Sequence, residues 1–370
     1  MVRSARYAES MDSAQISAAR MISSGLVGSD APTPAEAVRR LACVQAQALG
    51  GALVSVALRT QTRDLAEVRA EIEAGSIVRT WTQRGTVHLT TAEDVGWILS
   101  LTAPRRWKAE ATRRAHFGVD EPLLETAAAL VEAAIADRGP LSREDLVASL
   151  APLMTGISED EEYGRQRHLI TNLSMQGLLI QSGFVPGRDE LAFALRDPSA
   201  DAGIDTEAAL REWMRRYVLG HGPVTVDDAT RWTGLPKTPI RAALASLVDS
   251  GDIAAVTIDD VEHVQAPDLE DRLSVWEDTA RALTLLPGFD ELILGYKDRS
   301  CTLDPGHERA VVPGGNGMFK NTVVEGTRVR GTWKRSPKKS GPRVFVDPFP
   351  GETIDAERVD AVASTHPAFV

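Results

Sequence analysis

The chain has 370 residues, 43% of them hydrophobic, and a formal net charge of -11. That length exceeds one compact block and suggests two or three domains. The net charge argues against a generic polyanion binder, and two distant cysteines, Cys43 and Cys301, fit no dense disulfide framework and point to a reducing compartment. No apolar run approaches the roughly 18 residues of a bilayer span and none near the start resembles a secretory leader, so a cytoplasmic protein without membrane contact is expected.

Charge is unevenly spread. Arg105, Arg106, Lys108, Arg113 and Arg114 form one basic run interrupted by Glu110, and Arg328, Arg330, Lys334, Arg335, Lys338, Lys339 and Arg343 form a second with no acid inside it. Such runs are either solvated faces or polyanion contacts.

In chain order, helical spacing of Ile16, Ala19 and Ile22 predicts a helix over 13–23, capped by Asp12 or Ser13. Thr33-Pro34-Ala35-Glu36 spells a cap, a first-turn proline and a first-turn acid, and this helix should end near Val44. An interruption over 45–51 precedes a further helical stretch at 53–58. A helix over 65–74 stops at Gly75, and strands at 77–82 and 86–89 make a hairpin about Gly85.

The order helix, helix, helix, hairpin then recurs. Helices at 122–137, 142 onward and 165–176 lead to strands at 178–181 and 191–194, with 155–164 read as an acidic linker. Helices at 210–219, after Thr225 and from Thr238 lead to strands at 253–257 and 261–265, and from Trp276 strands at 283–287, 292–294, 318–324 and 328–333 are expected. The predicted fold class is α+β, with tandem winged helix-turn-helix modules at 1–118, 119–200 and 201–272 and a β-rich region at 273–370.

Most enzyme signatures are missing. The seven histidines stand singly rather than at metal-ligand spacing, so neither a metal nor a cofactor is expected. Gly314, Gly315 and Gly317 are not followed by a lysine-serine pair, and no Gly-x-Ser-x-Gly elbow occurs. Gln45 and Gln47 are more unusual. On a regular helix they would point about 200° apart, whereas in extended backbone they share a side. They are either junction glutamines satisfying loose backbone groups or a convergent pair of amides.

Four short motifs carry a resemblance to a known family. These are Val44-Gln45-Ala46-Gln47; Thr80-Trp81-Thr82-Gln83-Arg84-Gly85-Thr86-Val87-His88; Phe289-Asp290-Glu291-Leu292 with Leu294-Gly295-Tyr296-Lys297-Asp298-Arg299; and Gly331-Thr332-Trp333. In this order they resemble the winged-helix DNA glycosylases of the AlkZ and YcaQ type, which unhook interstrand crosslinks, and especially members protecting actinobacteria from their own alkylating product, azinomycin. The resemblance implies a C-shaped molecule with a concave, basic cleft for duplex DNA. Gln45 and Gln47 would lie at its floor as catalytic residues, where a related branch carries a carboxylate at the position of Gln47.

On this reading the enzyme is a monofunctional glycosylase acting as a monomer on double-stranded DNA with N7-alkylated purines or interstrand crosslinks. An amide does not titrate near neutrality, yet its carbonyl can hold a water in line with C1′. A cationic N7-alkylated base departs without protonation, so no lysine nucleophile is required. Arg79, Arg84, His88, Arg328, Arg330, Lys334, Arg335, Lys338 and Lys339 are the expected DNA contacts. Trp81 and Trp333 are expected anchors, and Asp290, Asp298 and Arg299 an ionic network supporting the C-terminal region. The rival readings are a winged-helix transcriptional regulator and a non-catalytic binder of alkylated DNA.

Overall fold

The computed structural model describes residues 11–201, 203–315, 317–336 and 343–369. It is a mixed α+β protein with many helices and several antiparallel sheets. Two compact units divide it. One joins 1–68 with 210–370, and the other is 69–209. Among the described residues no helix is long and apolar enough to cross a membrane.

In the discontinuous unit the helix Ser13–Ser23 starts at a reciprocal cap, in which Asp12 accepts from the Gln15 backbone and Gln15 returns the bond. It packs along the helix Leu269–Ala280. Their apolar faces, with Met21, Ile22, Leu273, Leu292 and Val324, build the main core. A four-stranded sheet takes the spatial order Val344–Pro348, Arg328–Arg335, Thr322–Glu325, Thr284–Leu286. Gly326 and Thr327, both at positive φ, turn its middle hairpin as a two-residue loop that follows the strand twist. Leu285, Val323, Trp333 and Val359 form a second core between this sheet and the helix Ala356–Thr365.

Helices Thr206–His221, Val226–Thr233 and Lys237–Ser250 precede a hairpin of Ala254–Ile258 and Val261–Gln265. Asp259 and Asp260 take positive φ at its turn, a conformation that short polar side chains tolerate.

In the unit 69–209, strand Ile77–Trp81 pairs with Val87–Thr91 on one side and Leu179–Phe184 on the other, and Leu191–Leu195 lies beyond the latter. Helices Glu121–Arg138, Arg143–Ser149 and Glu159–Met175 enclose Leu124, Val131, Leu146, Leu169, Leu173 and Phe193.

Three local expectations are corrected. The acidic stretch after Thr155 is no linker: the helix starts at Glu159, because Ser158 and Glu161 cap it reciprocally and the acids of its first turn face the positive end of the helix dipole. Leu292–Leu294 is not a strand but part of the helix Glu291–Leu294, whose first turn is capped by Asp290. The strand expected over 318–324 begins only at Thr322. Helix Val95–Ala109, strand Val344–Pro348 and helix Ala356–Thr365 were not anticipated.

Candidate active site

The helix Pro34–Leu41 ends abruptly at Ala42, whose φ of 62° and ψ of -45°, with a Cys43 N–H to Leu41 carbonyl bond of 2.8 Å, describe a three-residue turn of the strained hand. The chain leaves it extended through Val44 and Gln45, and re-enters helix only at Leu49. Extended backbone puts the side chains of Gln45 and Gln47 on one side. The Gln45 Nε2 donates to Gln47 Oε1 at 2.6 Å. Gln45 is buried and Gln47 exposed, so an inner amide anchors an outer one facing solvent.

Two successive carboxylates brace this junction. Glu291 Oε1 accepts from the Gln45 backbone N–H at 3.3 Å, while its Oε2 accepts from Trp232 Nε1 at 2.9 Å and faces His221 Nε2 at 3.3 Å. Tyr296 donates to the His221 carbonyl and Tyr217 to that of Gly295, so the polar tips of Trp232, His221, Tyr217 and Tyr296 each have a partner. Asp290 points the other way. It makes a two-point contact with the Arg59 guanidinium, both bonds at 2.8 Å, and accepts from Ser55 Oγ at 2.7 Å. Burial alone would raise its pKa, but the Arg59 charge and these bonds hold it below the usual carboxylate range. Arg59 and Ser55 lie on or just past the helix Leu49–Ala57 that follows the glutamines, so both flanks of the motif are tied to one dipeptide.

The expected network of Asp290, Asp298 and Arg299 is therefore corrected. Asp298 is exposed and accepts from the Ser300 backbone. Arg299 pairs with Glu308 at 3.2 Å. Trp333 is a core anchor whose Nε1 donates to the Leu286 carbonyl at 2.9 Å. Ser55, Arg59, His221, Trp232 and Glu291 escaped the sequence reading as site residues; the only signal was the motif Phe289-Asp290-Glu291-Leu292.

Of the second basic run, Arg328 lies 3.8 Å from Asp304, and Arg330 donates from Nη1 to both Glu352 carboxylate oxygens at 2.8 and 3.0 Å. Arg335 lies over the Phe369 ring and Lys334 is exposed. Lys338 and Lys339 lie outside the described residues.

In the unit 69–209, Trp81 packs half-buried against the core around Leu124. Arg79 donates to the side-chain amide oxygen Oε1 of Gln181, and burial together with the Arg143 charge brings its pKa down to about 10. Arg84 is half-buried at the hairpin turn with φ 53°. His88 does not present itself to a phosphate as expected. It is fully buried, with Nδ1 at 2.9 Å from Thr82 Oγ1 and 3.1 Å from the Thr86 carbonyl, both within its own hairpin.

Burial first, and the Arg84 charge second, push the His88 pKa well below 6.5. The folded hairpin thus keeps a neutral ring while the unfolded chain takes a proton below about pH 6.5, so stability is full above that pH and falls on acidification. Thermal melts should show a loss of about 1 kcal/mol per pH unit below pH 6.5, and His88→Gln should flatten that slope. An unchanged slope in the variant would exclude His88 as its source.

The family model described as DNA glycosylase AlkZ-like matches residues 38–366. An interstrand DNA cross-link repair glycosylase of Streptomyces sahachiroi is 30% identical over 349 residues, covering 90% of this chain and 88% of that protein. The solved structure of the Streptomyces sahachiroi DNA glycosylase AlkZ superposes with a TM-score of 0.77 at 25% identity, over 97% of each chain. The chain belongs to the AlkZ-like family of DNA glycosylases.

Proposed function

We propose that this DNA glycosylase hydrolyses the N-glycosidic bond of N7-alkylated purines in duplex DNA and unhooks interstrand crosslinks, serving self-resistance to an alkylating natural product. The observation that carries the reading is the anchored amide pair, Gln45 holding Gln47 at 2.6 Å at the edge of solvent. Alkylation at N7 leaves a positive charge on the purine, so the glycosidic bond is already weak and the base leaves neutral. The remaining work is to hold a water against C1′ and to offer partial negative charge to the developing oxocarbenium ion. An amide oxygen does both without titrating. Undamaged bases, which would leave as anions, gain little from such a site.

The architecture assigned to this function is a set of tandem winged helix-turn-helix modules at 1–118, 119–200 and 201–272, with a β-rich region at 273–370, forming a C-shaped molecule with a concave DNA-binding cleft. The helix order ending in the hairpin Ala254–Ile258 with Val261–Gln265 supports it. A base tied to the opposite strand cannot swing freely into a deep pocket, and the exposure of Gln47 suits an adduct of that kind. Arg79, Arg84, Lys334 and Arg335 are assigned to phosphates, which position a duplex without choosing its sequence. The enzyme is taken to work as a cytosolic monomer without metal or cofactor.

The test is product analysis on a duplex carrying an azinomycin-type crosslink and on one carrying 7-methylguanine. Release of the alkylated base, with an abasic site and an uncut sugar-phosphate backbone, is expected from both. Retention of the base with tight binding would instead make the protein a shield for damaged DNA. A preference for one undamaged inverted repeat would make it a regulator.

A further inference from the structure

A concavity of about 620 Å³ in the discontinuous unit is lined by Arg231, Arg299 and Arg309, with Glu308 the one carboxylate among them. In a chain of net charge -11 such a grouping is unexpected. Arg299 is buried, its Nη1 bonded to Glu308 at 3.2 Å, and its Nε has no partner among the described residues. Its guanidinium lies 5.5 Å from the centre of the Phe319 ring. Arg231 and Arg309 are exposed. Burial, and then the Arg231 charge, lower the Arg299 pKa, with Glu308 opposing them. An unpaired buried donor beside two more cations costs free energy unless an anion completes the set.

The same wall carries Gly314 and Gly315, both at positive φ, where an added Cβ would meet nothing within 4 Å. Backbone without side chains lets a bulky anion approach closely. The neighbouring Phe319 leads back to the glutamine motif. A Cβ on Gly288 would lie 2.4 Å from the Phe319 carbonyl, and one on Gly51, in the helix that follows Gln47, would lie 3.4 Å from the Gly288 carbonyl.

The geometry points to a phosphate-binding subsite formed by Arg231, Arg299 and Arg309, which takes one backbone phosphate of the duplex flanking the lesion. The inference rests on the DNA reading above and adds to it a phosphate contact that the sequence assigned to none of these three residues. Arg231 and Arg309 supply the accessible charge. Arg299, braced by Glu308 and Phe319, supplies a fixed donor at the back. Guanidinium groups suit this task because their planar forks pair with two phosphate oxygens at once.

The test is fluorescence anisotropy of a 7-methylguanine duplex, titrated at several salt concentrations with wild type and with an Arg231→Ala, Arg309→Ala double variant. The variant should bind about fivefold more weakly or worse near 0.1 M salt, and its slope of log affinity against log salt should be shallower by about 1, the contribution of one neutralised phosphate. The charge-retaining Arg231→Lys, Arg309→Lys variant should recover part of the affinity and most of the slope. Arg211→Ala removes a charge from a surface cluster with Ser246, Ser250 and Asp252 and should bind as wild type does. Equal affinity and slope in the alanine double variant, or an equal loss in Arg211→Ala, overturns the subsite while leaving the glycosylase reading intact. A wild-type protein that holds no duplex at all overturns both.

Discussion

Alanine at Gln45 or at Gln47 is expected to slow single-turnover release of 7-methylguanine by about 100-fold or more, with duplex binding retained. The size follows from positioning: a displacement of about 1 Å of a reacting group can cost on the order of 100-fold in rate. Gln47 is the exposed amide, so its removal takes away the group that the proposed function sets against the substrate. Gln45 is buried, and its loss frees Gln47 from the 2.6 Å bond that sets its direction. Because the two act through one hydrogen bond, the double variant should be little slower than the worse single one. Rates are read from abasic-site formation at saturating protein, and binding from anisotropy on the same duplex. Unchanged base release in both single variants would remove the amide pair from the chemistry.

The second large effect concerns stability. Asp290→Ala leaves the Arg59 guanidinium, which is 1% exposed, buried without its countercharge. Breaking one side of such a pair typically costs about 3–5 kcal/mol, because the remaining ion keeps its desolvation penalty. Replacing both partners with apolar residues, as in Arg59→Met with Asp290→Leu, should recover most of that loss. Urea melts of the three proteins decide the matter, and a single variant within about 1 kcal/mol of wild type would show that the pair contributes little. Acid acts on the same bond. The folded pKa of Asp290 is below 3.8, so its contribution is complete above about pH 4 and is lost as the pH falls through the folded value.

Much of the helical frame was legible because its signals are local. Thr33-Pro34, Ser142 and Thr225 mark helix starts, and Gly251 marks an end. The errors lie where a local signal had two meanings. The acids after Ser158 read equally as a solvated linker or as the first turn of a helix, and the reciprocal cap decided for helix. Leu292, Ile293 and Leu294 are apolar enough for a strand, but Asp290 caps them into a helical turn. Helix Val95–Ala109 was missed; it contains Pro104 and ends in basic residues, which blunt its periodicity.

At the site, the glutamine spacing was visible, and so was its ambiguity between helix and extended backbone. Only the turn at Ala42 resolves it, and nothing in the side chain of an alanine announces a positive φ. Glu291, Arg59, His221 and Trp232 could not be assigned in advance, because each is defined by a partner far away in sequence. The clearest case is the Gln45 to Glu291 bond, which spans 246 positions. His88 misled for the opposite reason, since its bonds to Thr82 and Thr86 are local and consume the ring nitrogen that faces them.

The unit bearing the glutamines is assembled from 1–68 and 210–370, with another folding unit inserted between the two pieces. During translation the first piece therefore emerges long before the carboxylates and aromatic side chains that complete it, and contacts of such separation form late. The glutamine pair therefore gains its Glu291 brace only near the end of synthesis, so a prematurely terminated polypeptide would carry both amides without the carboxylate that holds their backbone.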